Sequence, residues 1–286
     1  MTNQGDIRVG RSPNDSHRAA TNHHTQTLRT IRYDRFTQNG LKSRRSDGEP
    51  QKTRVNHRNQ TCWHQMNQET KHGVSSNQTT IHSDLRRVVT KHRQSKWQEP
   101  ITPYAREASR QILSLIDTQG GPIIFDSFGG TGMRTAKIAA ENPRALVIGI
   151  DKSVNRLSKH VPSEAANYRL IRGSCEQIWA GLVAAGVRCS QHYMLYPNPW
   201  PKKSHLKRRI HGHPSFPLLC ELSEVMEVRS NWKIYVDEFA AASEILGLNV
   251  NVQPLSVNDP LTLFERKYSA NSEQLWICRT RLSTSN

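Results

Sequence analysis

From Pro122 to Arg279, short apolar runs alternate with stretches of helical spacing, and this alternation restricts the architecture more than any other feature of the chain. The runs are Pro122–Ser127, Ala145–Ile150, Tyr168–Arg172, His192–Tyr196 and Glu224–Arg229, with two late ones at Asn249–Gln253 and Gln274–Arg279. Between them the spacing predicts helices over Gly132–Glu141, Ser153–His160, Glu176–Ala185 and Ile234–Leu246. Runs that are apolar almost throughout suit strands buried on both faces, and an intervening helix makes successive strands parallel. The expected fold is therefore α/β, a mostly parallel seven-stranded sheet with helices on both faces. Its ligand site belongs at the carboxyl ends of the strands. Two helices precede the sheet. Ile81–Arg93 carries Ile81, Leu85, Val88 and Val89 at helical intervals. In Pro103–Asp117, Thr102 can cap the start and Pro103 suits the first helical position.

Residues 1–72 read differently. They are poor in aliphatic residues and rich in Arg, His, Asn, Gln, Thr and Ser, with no sustained apolar period. Such a segment cannot bury enough apolar surface to offset backbone entropy, so a disordered basic extension is expected there, with the folded domain at 76–286. It is either an arm that adds nonspecific affinity for RNA or sequence upstream of a true start at Met66. The whole chain of 286 residues has a formal net charge of +16, which points to a polyanionic partner and first to nucleic acid. No apolar run approaches the roughly 18 residues of a membrane span. The five cysteines are scattered and form no C-x-x-C pair, so neither a disulfide framework nor a cysteine zinc site is expected, and a reducing cytoplasm is the simplest setting. His211 and His213 could be paired metal ligands, but no third ligand stands at suitable spacing, and no metal is expected.

The first run leads into Asp126-Ser127-Phe128-Gly129-Gly130-Thr131-Gly132 and then a helix. Glycines here let the backbone take positive φ and pass close to a ligand. The second strand ends beside Asp151, where an acid can accept from both ribose hydroxyls. These features admit either a dinucleotide or S-adenosylmethionine. Reading from Gly130, the third glycine of G-x-G-x-x-G is missing, with Thr135 in its place. Asp126 could hold the cationic amino group of a methionine moiety, which favours S-adenosylmethionine over NAD.

After the fourth strand comes Pro197-Asn198-Pro199-Trp200-Pro201, then Lys202, Lys203, His205, Lys207, Arg208 and Arg209. Prolines on both sides of Asn198 stiffen the loop. Trp200 offers a stacking plate, and the cations that follow suit phosphates beside an unstacked base.

With this loop in view, the sequence resembles the tRNA (guanine-N7)-methyltransferases, and within them a bacterial subgroup with a P-N-P-W-P-K loop. The resemblance runs from about Ser76 to Arg279. It takes in Ser76-Asn77-Gln78, the glycine turn, Gly149-Ile150-Asp151-Lys152-Ser153, the Asn198 loop, His211-Gly212-His213-Pro214, Ser230-Asn231-Trp232 and Thr262-Leu263-Phe264-Glu265-Arg266. It implies a Rossmann-like fold and S-adenosylmethionine-dependent methylation of tRNA. Asp126, Gly130, Gly132 and Asp151 match the cofactor positions, and Glu176 is the residue near the adenine. Trp200, Lys202, Arg208, Arg209, Thr262 and Glu265 match the substrate side. Asn198 and Asn231 stand where the family usually has substrate-site aspartates, so Asn198, Asn231 and Glu265 are the expected catalytic set. Phe128 replaces the first turn glycine. The amides keep the shape of aspartate but lose its charge. A noncatalytic RNA-binding relative is therefore an alternative, and an NAD-dependent oxidoreductase a weaker one.

Overall fold

The structure is a computed structural model and describes residues 74–282. The extension read over residues 1–72, and with it Met66, lies outside the described residues. Two helices come first, α1 (Leu85–Gln94) and α2 (Pro103–Gln119). There follow β1 (Ile123–Ser127), α3 (Met133–Glu141), β2 (Leu146–Asp151), the single turn α4 (Val154–Leu157), β3 (Tyr168–Arg172) and α5 (Cys175–Ala184). Then come β4 (Gln191–Leu195), two 3-10 turns in the basic loop, α6 (Phe216–Leu222), β5 (Val225–Ser230), α7 (Lys233–Ile245), β6 (Leu248–Leu255), α8 (Leu263–Ala270) and β7 (Leu275–Leu282). The seven strands form one sheet in the order β3-β2-β1-β4-β5-β7-β6. β1 to β5 pair in parallel, and β7 runs antiparallel between β5 and β6. The sequence-derived strands and helices fall on these elements. Two helices were not expected from the sequence, α6 and α8, and the expected helix over Ser153–His160 forms only as α4.

Alternation along the strands builds two unlike faces. Phe125, Leu146, Ile148, Ile150, Met194, Met226 and Val228 pack with α1, α2, α5, α6 and α7 into the main core. Trp179 and Phe239 are completely buried there. On the other face Ile124 and Val147 meet Ile138 and Ala139 of α3 in a smaller cluster. Beyond α3 that second face turns polar. Asp126, Tyr193, Glu227 and Arg279 are in register across β1, β4, β5 and β7. This register decides where Asp126 points, which matters below. No helix among the described residues is long and apolar enough to cross a membrane.

Candidate functional site

The turn after β1 has the shape its glycines allow. Gly130 and Gly132 have φ of 64° and 75°. A Cβ on Gly132 would stand 2.4 Å from the end of the Leu170 side chain, and its positive φ makes any larger residue there strained, whereas a Cβ on Gly130 would meet nothing within 4 Å. Open space over Gly130 is what a ligand passing along the turn requires. Phe128 also has positive φ, 60°, and keeps the backbone shape that a glycine would take at lower cost. Its ring packs edge-on against Trp179, 5.8 Å between centroids. Beneath the turn, Ser127 accepts from the Trp179 indole N–H (3.0 Å) and is bonded to His192 (2.8 Å), which in turn is bonded to Ser223 (2.8 Å). Burial, reinforced by Arg134, pushes His192 down to about 3, so the imidazole is neutral and acts as a spacer.

The two acids expected at the cofactor end occupy different settings. Asp151 ends β2. Its carboxylate accepts from the N–H of Gly130 (2.9 Å) and of Ser153 (2.8 Å), and the half-exposed Arg156 lies against it at 3.0 Å. It braces the glycine turn, with Arg156 held against its Oδ1. Asp126, expected at the methionine end of a cofactor, has its carboxylate engaged within the protein. It is fully buried, it faces the α3 side of the sheet, and its oxygens are engaged by Arg134 and by Thr135 (2.7 Å). Its carboxylate lies under the turn, where a Cβ on Gly129 would stand 3.1 Å from its Oδ2, and Arg134 and Thr135 already occupy its oxygens. Arg134 is itself buried and lies over the Tyr193 ring at 5.5 Å; burial and Arg229 bring it down to about 9. Glu176 stands in the first turn of α5, half-buried, and accepts from Ser174 (2.7 Å). The open turn, Asp151 and the Ser174–Glu176 pair all lie at the carboxyl ends of β1, β2 and β3. The Asp126–Arg134 pair is internal to the fold.

At the other end, the chain leaves β4 through a tight, strained segment. Tyr196 and Trp200 have φ of 52° and 46°. Asn198 is exposed, and its Oδ1 accepts from the Trp200 N–H at 3.2 Å. Arg208 lies over the Trp200 ring at 4.9 Å and His205 meets its edge at 5.6 Å, while Lys202, Lys203 and Lys207 are exposed. Arg209 departs from the expected substrate role. It is fully buried, ion-paired with the equally buried Glu238 and bonded to Gln78 at 2.9 Å. It also donates to the carbonyl of Trp200 at 3.2 Å and of Lys202 at 3.4 Å. A residue with no exposed surface cannot touch RNA; this one fastens the loop from inside. His211 shares Glu238 at 2.9 Å, and Ser76 reaches the carbonyl of Pro201 at 2.7 Å. Ser76–Gln78, the basic loop and α7 are thus tied to one buried carboxylate. Burial alone would raise Glu238, but His211 and Arg209 outweigh it and hold the carboxyl well below its ordinary range.

Of the pair Thr262 and Glu265, the first is half-buried and the second fully buried. Thr262 is the N-cap of α8, and its side chain accepts from the Glu265 N–H at 3.0 Å. Glu265 is fully buried, with its oxygens taken by Arg229 (2.7 Å), Tyr196 (3.0 Å) and the Leu261 N–H (2.6 Å). The T-x-x-E spacing is that of a helix cap, and here its acid also holds Tyr196 and Arg229. Burial first, then Glu265, push the Tyr196 phenol upward, so it stays a donor. Asn231, just past β5, donates from Nδ2 to Glu273 at 3.0 Å. Above this, Tyr196, Phe264 and Tyr268 form an aromatic group with centroids 5.8 to 6.3 Å apart, and Phe264 is exposed. Sequence reasoning passed over Arg134, Arg229, Glu238 and this aromatic group. Only α8 had a local signal, the cap itself.

A glycine turn braced by an acid at the end of β2 thus stands at the end of the strand next to an aromatic and basic loop after β4. Residues 121–277 match the family model Methyltransf_4, described as "Putative methyltransferase", and the chain belongs to that family. It is similar to the tRNA (guanine-N(7)-)-methyltransferase of Mycobacterium bovis (strain BCG / Pasteur 1173P2), 29% identical over 161 residues, which cover 51% of this chain and 61% of that protein. With the enzyme of the same name from Methylobacillus flagellatus it shares 28% over 142 residues, 47% of this chain and 59% of that one. The chain thus spans less than two thirds of the length of these curated relatives. Among solved structures, the 16S rRNA methyltransferase KamB matches with a TM-score of 0.46 at 16% identity, over 61% of this chain and 94% of that one. The 16S rRNA (adenine(1408)-N(1))-methyltransferase from Catenulisporales acidiphilia matches with a TM-score of 0.44 at 17% identity, over 62% and 93%.

Proposed function

We propose that the domain from about Ser76 onward transfers a methyl group from S-adenosylmethionine to guanine N7 of tRNA. The observation that carries this is the placing of an open glycine turn and a Trp-Arg-Lys loop on one edge of the sheet, at the ends of neighbouring strands β1 and β4. The activity named for the curated relatives supports the substrate. Gly129, Gly130 and Thr131 would line the cofactor, Asp151 would take the ribose hydroxyls once Arg156 moves aside, and Ser174 and Glu176 stand on the adenine side. When bound, S-adenosylmethionine supplies a sulfonium methyl whose sulfur leaves as a neutral thioether while the positive charge passes to the guanine ring.

Guanine N7 presents an in-plane lone pair and no proton, so the site needs no general base. Its work is positioning and electrostatics. Trp200, steadied by Arg208 and His205, and the exposed Phe264 are the stacking surfaces for an unstacked base. Lys202, Lys203, Lys207 and Arg208 are the phosphate contacts, each of which adds a salt-dependent increment to affinity. Arg209, Glu238, His211 and Glu265 shape the loop from within. A second reading, an RNA-binding relative without turnover, rests only on Asn198 and Asn231 standing where charges are expected, and the family match does not favour it.

Calorimetry with S-adenosylmethionine and with NAD, followed by transfer of labelled methyl to bulk tRNA, separates these. Cofactor binding with labelled RNA is the expected result. Cofactor binding without label would establish the second reading, and binding of NAD alone would overturn both.

A further inference from the structure

The reaction proposed above creates a cationic purine, yet the carboxylates next to the ends of β4 and β5 are almost all cancelled. Glu227 lies against Arg229 and Arg279, and Glu265 against Arg229. Asn198 and Asn231 carry no charge. One acid there differs. Glu273, in the turn before β7, makes no ion pair among the described residues. Its Oε2 accepts from Asn231 at 3.0 Å, its Oε1 has no partner among the described residues, and the side chain is half-buried. Its backbone N–H is bonded to the Tyr268 carbonyl at 3.0 Å, which fixes it beside the aromatic group of Tyr196, Phe264 and Tyr268.

We infer that Glu273 is the substrate-side carboxylate of this enzyme, the negative charge facing the methylated guanine, and that Asn231 is the residue that positions it. This rests on the guanine-N7 reading. An aspartate at 231 would repel a glutamate 3 Å from its tip, whereas an amide donates to it. The amide at 231 and the acid at 273 are thus one device, with the charge carried on the turn before β7 and not at the end of β5. Glu273 stabilises positive charge that grows as the N7–carbon bond forms, so it acts on kcat more than on binding.

The test uses the full chain and three forms, wild type, E273Q and N231D/E273Q, with methyl transfer to tRNA, Kd for S-adenosylmethionine and thermal melting. The expected result for E273Q is a kcat at least about ten-fold lower, with KM for tRNA and cofactor Kd within about three-fold and melting unchanged. N231D/E273Q returns the charge to position 231 and recovers most of the lost kcat, which a merely structural role for Glu273 would not give. An unchanged kcat in E273Q, or no recovery in a double variant that melts like wild type, overturns the inference while the wild-type activity still stands. If the wild type binds cofactor but methylates no tRNA, the underlying reading fails and this one with it.

Discussion

Replacing Glu238 by Gln removes one charge from a site where three elements meet, and its effect can be worked from the contacts. Arg209, fully buried, loses its counter-ion but keeps Gln78 and the Trp200 and Lys202 carbonyls. His211 loses a charged acceptor at 2.9 Å, and Gln78 another. Leaving one member of a buried ion pair uncompensated costs about 3–5 kcal/mol. For a domain of this size each kcal/mol lowers Tm by about 2–4 °C, so E238Q should melt roughly 6–20 °C below wild type. The assay is thermal denaturation by circular dichroism, with urea titration to give the free energy. Because Arg209 holds the loop carbonyls, E238Q should also weaken tRNA binding without touching an RNA-facing residue. Removing both charges, as R209M/E238L, should cost less than the sum of the single changes, since no charge is then stranded. A loss below about 1 kcal/mol in E238Q, or strict additivity in the double variant, would refute the view that this pair anchors the loop.

Other consequences can be measured alongside. The carboxyl of Glu238 is held below its ordinary value of 4.5, so its stabilisation is complete above that value and is lost as pH falls below it; the Tm of wild type should fall more steeply under acid than that of E238Q. Gly132→Ala meets Leu170 at a positive φ, so it should destabilise by about 2 kcal/mol or more and abolish cofactor binding by calorimetry. Asp151→Ala should weaken S-adenosylmethionine binding and leave tRNA affinity within about three-fold, while Lys202→Ala should weaken tRNA binding and reduce the salt slope by about one. Equal loss of cofactor affinity in both would contradict this division of the site.

The fold was largely legible because its signals are local. Apolar runs and intervening helical spacing locate every strand, and Thr102 and Pro103 mark the start of α2, where Thr102 accepts from the Ala105 N–H at 3.2 Å. The open glycine turn and the acid at Asp151 were legible for the same reason. What could not be read is which side chains turn inward. Asp126 was read toward the cofactor, and Arg209 and Glu265 toward the substrate, because charged residues are seldom fully buried. Their partners Arg134, Glu238 and Arg229 lie 8, 29 and 36 positions away, and only the folded sheet and α7 bring them together. α8 was missed because its short span is polar and broken by exposed Leu263 and Phe264, although Thr262 and Glu265 carried the capping pattern.

The central claim concerns one atom of one base, and the chemistry of that atom supplies the test. Guanosine methylated at N7 has a labile glycosidic bond, so reduction followed by aniline cuts the RNA chain there and nowhere else. Purified full-length protein is incubated with unmodified tRNA and labelled S-adenosylmethionine, and the product is examined by this cleavage and by nucleoside mass spectrometry. The account predicts label in 7-methylguanosine and a discrete aniline-dependent cut. Label in another nucleoside with no cut, or no label under conditions where the cofactor is bound, would contradict it.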